Sequence, residues 1–182
     1  MHRVTLEPFD LRRDSEVLLS WLAQPHVARW WGDALPAMEH ARKWAAESHA
    51  LIVVDGAPVG YVCWQEPPKD EVETARLTDL PRGLVDVDVL IGKPGLLGQG
   101  IGTRALQLLV ARLRLEPSVA FVGLGTSASN TNAIRCYAKA GFRLLCEFQD
   151  PEWGPCKYFI ADVRGAAQTI RSVGRHRGSR GN

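Results

Sequence analysis

Apolar positions along the chain switch repeatedly between a period of two and a period of 3.6, which predicts a domain mixing strands and helices, of the α/β or α+β class. "RVTLEPF" alternates as a strand, and "DSEVLLSWLAQ" carries a helical stripe with Asp14 or Ser15 as its cap. Between Pro25 and Glu47 the pattern predicts a short helix, a turn and a longer helix begun near Pro36. "ALIVVDGAPVGYVCWQE" predicts a hairpin, because Asp55-Gly56 between two β-rich runs suits a tight turn. Residues 66–82, rich in Pro and charge, read as a loop. A strand over 84–91, a helix ending near Leu115 and a strand "SVAFVGLG" come next. The helix "NTNAIRCYAKAG" is stopped by Gly141, and "FRLLCEFQ" and "CKYFIADVR" are the last strands. With no internal repeat, residues 1–165 are expected to form a single domain.

At 182 residues, 46% of them hydrophobic, the chain is long enough to bury one substantial core. No apolar run nears the roughly 20 residues of a membrane span. "MHRVTLEPFD" lacks the apolar centre of a signal peptide, so a cytoplasmic protein with no membrane partner is expected. Cys63, Cys136, Cys146 and Cys156 form no CxxC pair and have no His at ligand spacing, so neither a metal site nor a disulfide framework is expected. The net charge of +2 conceals an asymmetry: five Arg and no acid lie from Arg164 onward, which leaves residues 1–163 with 17 basic against 20 acidic groups. The tail 166–182 has no interleaved aromatics, so it is expected to be a solvated flexible end, with no nucleic-acid partner.

The stretch "GLLGQGIGTRALQLLVARL" places four glycines ahead of a helical run. The Walker pattern fails, because Gly100 is followed by Ile101 and Gly102 instead of Lys and Ser or Thr. The dinucleotide fingerprint fails as well: the spacing is Gly98-x-Gly100-x-Gly102, after several strands, with no acid about 20 residues on. What remains is a glycine turn feeding a helix N-terminus, which presents unpaired N–H groups to an anion.

"LLGQGIGTRAL" resembles the Q/R-x-x-G-x-G/A loop of the GNAT superfamily of acyl-CoA-dependent N-acyltransferases, and "SNTNAIRCYAKAGF" is similar to its N-x-x-A-x-x-x-Y-x-K-x-GF helix. One departure is Leu97 at the Q/R position. The resemblance implies a mixed, mostly antiparallel sheet of about seven strands flanked by helices and splayed between the fourth and fifth strands. It implies acetyl-CoA as cosubstrate, its pyrophosphate cradled by backbone groups of Leu97, Gly98, Gln99, Gly100, Ile101, Gly102 and Thr103. It also implies that Asn130 meets the cofactor, that Tyr137 protonates the leaving thiolate, and that N–H groups near Val89 or Leu90 stabilise the oxyanion. "SWLAQPHVARWWGD" together with "AIRCYAKAGF" looks like the aminoglycoside 6′-N-acetyltransferases, enzymes of antibiotic resistance. That narrower resemblance suggests that Trp30 or Trp31 lines a substrate cleft, with His26 a structural partner.

In "LVDVDVLIG", Asp86 and Asp88 share one face of a strand whose other face carries Val85, Val87 and Val89. Counted back from the loop, Asp88 occupies the position of the acid that the resembling enzymes place at the reacting amine, with Asp86 in reserve. An unperturbed Asp is a weak base toward an ammonium, so its first task is binding. A polycationic substrate needs an acidic wall, and 65–88 supplies Glu66, Asp70, Glu71, Glu73, Asp79, Asp86 and Asp88, with Glu147, Asp150 and Glu152 near the last strands. Gly125 stands where a close relative would carry a substrate-binding acid. The alternatives are a GNAT enzyme acting on a polyamine, a peptide N-terminus or a siderophore precursor, and a non-catalytic acyl-CoA sensor. Either a monomer or a homodimer fits.

Overall fold

The computed structural model describes residues 2–164 apart from 44, 75, 76, 78 and 79; the tail 166–182 lies outside the described residues. A seven-stranded sheet in the order β1-β2-β3-β4-β5-β7-β6 is built from β1 (Val4–Pro8), β2 (His49–Val54), β3 (Ala57–Gln65), β4 (Leu84–Ile91), β5 (Phe121–Ser127), β6 (Arg143–Asp150) and β7 (Gly154–Asp162). All neighbouring pairs are antiparallel except β4 and β5, which run parallel. Asp55 and Gly56 turn the β2–β3 hairpin with φ of 50° and 85°, both left-handed as a two-residue hairpin turn requires.

The helices are α1 (Leu11–Leu22), α2 (Pro25–Trp31), α3 (Ala34–Arg42), α4 (Lys69–Thr74), α5 (Ile101–Leu113) and α6 (Thr131–Ala140). Two differ from the sequence expectation. The cap of α1 is Asp10 and not Asp14 or Ser15: Asp10 Oδ1 accepts from Arg12 N–H (2.8 Å), and Asp14 Oδ2 accepts from Asp10 N–H (2.9 Å). The two acids thus form a reciprocal box one turn earlier than the apolar stripe suggests. Within the expected loop 66–82, Pro68 precedes the short helix α4, and its carbonyl accepts from Val72 N–H at 3.0 Å.

Alternation along the strands splits the core between the two faces of the sheet. On one face Val62, Val85, Val87, Val122 and Leu124 pack against Ile101, Ala105, Leu106 and Leu109 of α5 and Tyr137 of α6. On the other, Leu51, Val53, Tyr61, Cys63 and Leu90 pack against Leu18, Trp21 and Leu22 of α1 and Met38 of α3. A smaller cluster of Leu84, Phe121, Tyr158 and Ile160 occupies the second face beyond β4.

The feature that positions the site is the short ladder between β4 and β5. It runs only over Leu84↔Phe121, Val85↔Val122 and Asp86↔Gly123, whereas β3 stays paired with β4 through Ile91. Past Asp86 the two parallel strands part, leaving a gap with backbone edges on either side.

Candidate active site

The glycine loop closes one end of the gap. Gly98 and Gly100 have φ of 74° and 80°, and a β-carbon on either would meet no atom within 4 Å, so the loop is left-handed and open above. Gly100 caps α5 without a side-chain bond, and the first backbone bond into the helix runs from Arg104 N–H to Gly100 C=O (3.0 Å). The N–H groups of Ile101, Gly102 and Thr103 precede that bond and point out of the helix end. Gly102 serves packing: a β-carbon there would stand 3.2 Å from Cys136 Sγ on α6. Thr103 Oγ1 also faces Cys136, 3.4 Å from its carbonyl, so only the Thr103 backbone is turned to the loop. The Gln99 side chain turns aside, donating to Gly95 C=O (2.7 Å) and accepting from His2 (3.0 Å), and Leu97 is exposed. The open cradle, its two left-handed glycines and the strand edges beside it fit the pyrophosphate and amide-bearing arm of acetyl-CoA.

Asp88 and Tyr137 lie on opposite faces of the sheet, Asp88 on the part of β4 beyond the last β4–β5 pair. Asp88, exposed on β4, lies across from buried Cys63 on the face shared with α1 and α3. Tyr137 comes from α6 on the other face, buried against Phe142 and Phe159, with its hydroxyl near Thr126 on β5. Burial, reinforced by Cys136 and by the carboxylates of Asp88 and Asp86, pushes the Tyr137 phenol well above its ordinary range, so it is a proton-bearing donor. Gly92 N–H bonds back to Val59 C=O on β3 (2.8 Å). Alternate residues of a strand turn their N–H groups to opposite edges, so Leu90 N–H faces β3 and Val89 N–H faces the gap. Of the two expected oxyanion donors, Val89 has the suitable direction.

Asn130 is the N-cap of α6: its Oδ1 accepts from Ala133 N–H (3.2 Å), which leaves the side-chain amide N–H groups to meet a ligand. His26 donates from Nε2 to Ile91 C=O (2.9 Å) and fastens α2 to the end of β4. Trp31 packs at the margin of the core, while Trp30 is half-buried under the Arg29 guanidinium, 4.7 Å from the ring centroid.

The acidic wall is partly neutralised by its neighbours. Glu66 lies just beyond the Gln65↔Asp86 pair and lines a cavity of about 490 Å³ with Glu73, Lys69 and Arg82. Glu147 pairs with Lys157 (2.9 Å), and Asp150 accepts from Glu152 and Trp153 N–H (both 2.8 Å), holding the β6–β7 turn. Glu152 is exposed on that turn. Arg76 and Asp79 lie outside the described residues, as do the side chains of Asp70 and Glu71.

Sequence reasoning missed two groups here. Tyr158 on β7 donates from its hydroxyl to Asp86 Oδ1 (2.9 Å), and Trp153 packs on Gly32 after α2, 3.6 Å from where a β-carbon would stand. Both are aromatics in ordinary strand or turn positions, and only their partners distant in sequence distinguish them. Among the described residues no helix is long and apolar enough to cross a membrane.

Three comparisons bear on this arrangement. Residues 10–150 match the family model of the acetyltransferase (GNAT) domain. A curated relative, aminoglycoside N(6′)-acetyltransferase type 1 of Klebsiella pneumoniae, is 30% identical, over 88% of this chain and 83% of its own length. Among solved structures, an aminoglycoside 6′-acetyltransferase with ribostamycin and coenzyme A superposes with a TM-score of 0.73 at 28% identity, covering 93% of this chain and 98% of the other. One with coenzyme A and kanamycin gives 0.72 at 28% identity, covering 88% and 95%. The parted β4–β5 pair, the open glycine cradle and these matches together establish that the chain belongs to the GNAT family of acetyltransferases.

Proposed function

We propose that this enzyme acetylates the 6′-amino group of aminoglycoside antibiotics and thereby confers resistance. The observation that supports the reading is that Asp88 stands on β4 just beyond the Asp86↔Gly123 pair while Tyr137, buried on the other face of the sheet, lies within electrostatic reach of it. Bound acetyl-CoA supplies an activated acetyl thioester. Asp88 receives the substrate ammonium and orients it; the proton leaves through Asp88 or water, so that a neutral amine faces the carbonyl carbon. Val89 N–H stabilises the negative charge that develops on the carbonyl oxygen as the C–N bond forms. Tyr137 donates to the sulfur as the C–S bond breaks. Asn130 and the N–H groups from Gly98 to Thr103 hold the cosubstrate. Trp30, Asp86 and Glu152 line the acceptor cleft, with Trp31 supporting it from the core and Glu66 at its outer end. Four free thiols, two of them buried, suit a reducing cytoplasm.

Thiol release from acetyl-CoA, followed with aminoglycosides, polyamines and peptides as acceptors, tests this reading. Kanamycin and tobramycin should be acetylated, and a 6′-hydroxyl analogue should not be modified at that position by mass spectrometry. Clear transfer to a polyamine or peptide with none to any 6′-amine would remove the drug assignment and leave the family chemistry.

A further inference from the structure

Tyr158 lies across β5. Its register partner is Gly125, yet its ring extends over Gly123, where a β-carbon would stand 2.3 Å from Oη and 2.7 Å from Cε1. β5 therefore carries no side chain on this face at 123 or 125, and the phenol reaches over the strand to Asp86 on β4. Asp86 and Gly123 are also the last pair before the strands part, so the contact ties β7 to β4 at the fork. Tyr158 is buried, and a buried phenol needs a partner, which half-buried Asp86 supplies.

We propose that Tyr158 is a positioning residue for the acceptor: by donating to Asp86 Oδ1 it fixes that carboxylate at the fork, where it receives a second ammonium group of the substrate. Asp86 and Asp88 are two residues apart on one strand face, about 7 Å along β4, so they match a substrate with two neighbouring cationic groups. The reactive amine is met at Asp88 and its companion is anchored at Asp86. The inference rests on the cationic-amine reading and narrows it to substrates that carry at least two ammonium groups. Burial and the Asp86 charge both push the Tyr158 phenol up, which keeps it in the donor form.

The test is a double-mutant cycle of Tyr158→Phe, which keeps the ring on Gly123, with Asp86→Asn. Tyr158→Phe should raise KM for kanamycin about tenfold, with kcat and the acetyl-CoA KM changed by no more than about twofold. In the Asp86→Asn background the same substitution should add nothing, because its effect passes through that carboxylate. Additive losses, a loss confined to kcat, or a raised acetyl-CoA KM would overturn the proposal. Should Tyr158→Phe not fold, Asp86→Asn alone decides: KM should rise for kanamycin and not for an acceptor with a single amine, and an equal rise for both overturns it. If the parent enzyme turns over no 6′-amine, the acceptor assignment fails. The coupling is then read on a diamine that the parent acetylates, or by calorimetry with kanamycin on enzyme saturated with coenzyme A.

Discussion

Trp153 rests on Gly32, its ring 3.6 Å from where a β-carbon at Gly32 would stand. The contact joins the end of α2 to the β6–β7 turn, two segments remote in sequence that we propose as walls of the acceptor cleft. Gly32 has a positive φ of 73°, a backbone conformation that favours glycine at the end of α2. Trp153→Ala should therefore loosen one wall and raise the aminoglycoside KM by about 3–10-fold, with the acetyl-CoA KM unchanged, in steady-state kinetics. A matching loss in acetyl-CoA affinity would place Trp153 in general stability.

The glycine loop predicts a sharp contrast between neighbours. Gly100→Val forces a side chain into a left-handed position, which costs about 1–2 kcal/mol, and fills the open space where phosphate must approach. Coenzyme A binding by calorimetry should be abolished on protein that still folds. Gln99→Ala removes a side chain that turns toward Gly95 and His2, so affinity should change by no more than about threefold. Equal loss in both would argue against recognition through the backbone.

The α1 cap carries a pH signature. The Arg13 guanidinium, together with Asp10 N–H, holds the Asp14 carboxyl below its usual range. A carboxyl depressed on folding contributes stability that is fully present above its unfolded value near 4 and is lost as pH falls through the folded value. Asp14→Ala should lower stability by about 1 kcal/mol at pH 7. The difference from the parent in denaturant melts should shrink as pH drops below about 4, and a constant difference would remove the ionised carboxylate from the account.

These outcomes mark which parts of the molecule local sequence encodes. The Asp55-Gly56 turn, the β4 alternation and the Gly141 stop of α6 depend on neighbours in the chain, and each formed where the pattern put it. The α1 cap was misplaced because Asp10 and Asp14 are both good caps, and only their mutual bonds show which opens the helix. Helix α4 was hidden by the two prolines ahead of it, which read equally well as a loop. The glycine loop and the α6 motif were legible because backbone geometry and ligand chemistry constrain contiguous residues. The Tyr158–Asp86 bond was not, since it joins positions 72 residues apart. A period of two shows which face a strand residue takes, and not which strand will lie beside it.

The division of labour between Asp88 and Tyr137 gives the most direct test of the chemistry. Asp88→Asn keeps the volume but loses the negative charge that we propose receives the ammonium and takes up its proton. Turnover should fall by about 10²–10⁴ and the amine KM should rise. Tyr137→Phe should leave the amine side untouched, since the phenol comes from the face of the sheet opposite Asp88. Burial pushes its phenol well above the roughly 8.5 of a thiol, so it cannot hand over its proton freely, and the role we propose for it is a hydrogen bond to the departing sulfur. The loss should accordingly be smaller, about 10-fold, and confined to kcat. The Tyr137→Phe profile from about pH 6 to 9 should keep the parental shape, because the group removed does not titrate in that window. A Tyr137→Phe defect that grows as pH rises would identify Tyr137 as a true proton donor. Parental turnover in Asp88→Asn with a large loss in Asp86→Asn would move the reacting amine to Asp86, one step closer to the fork.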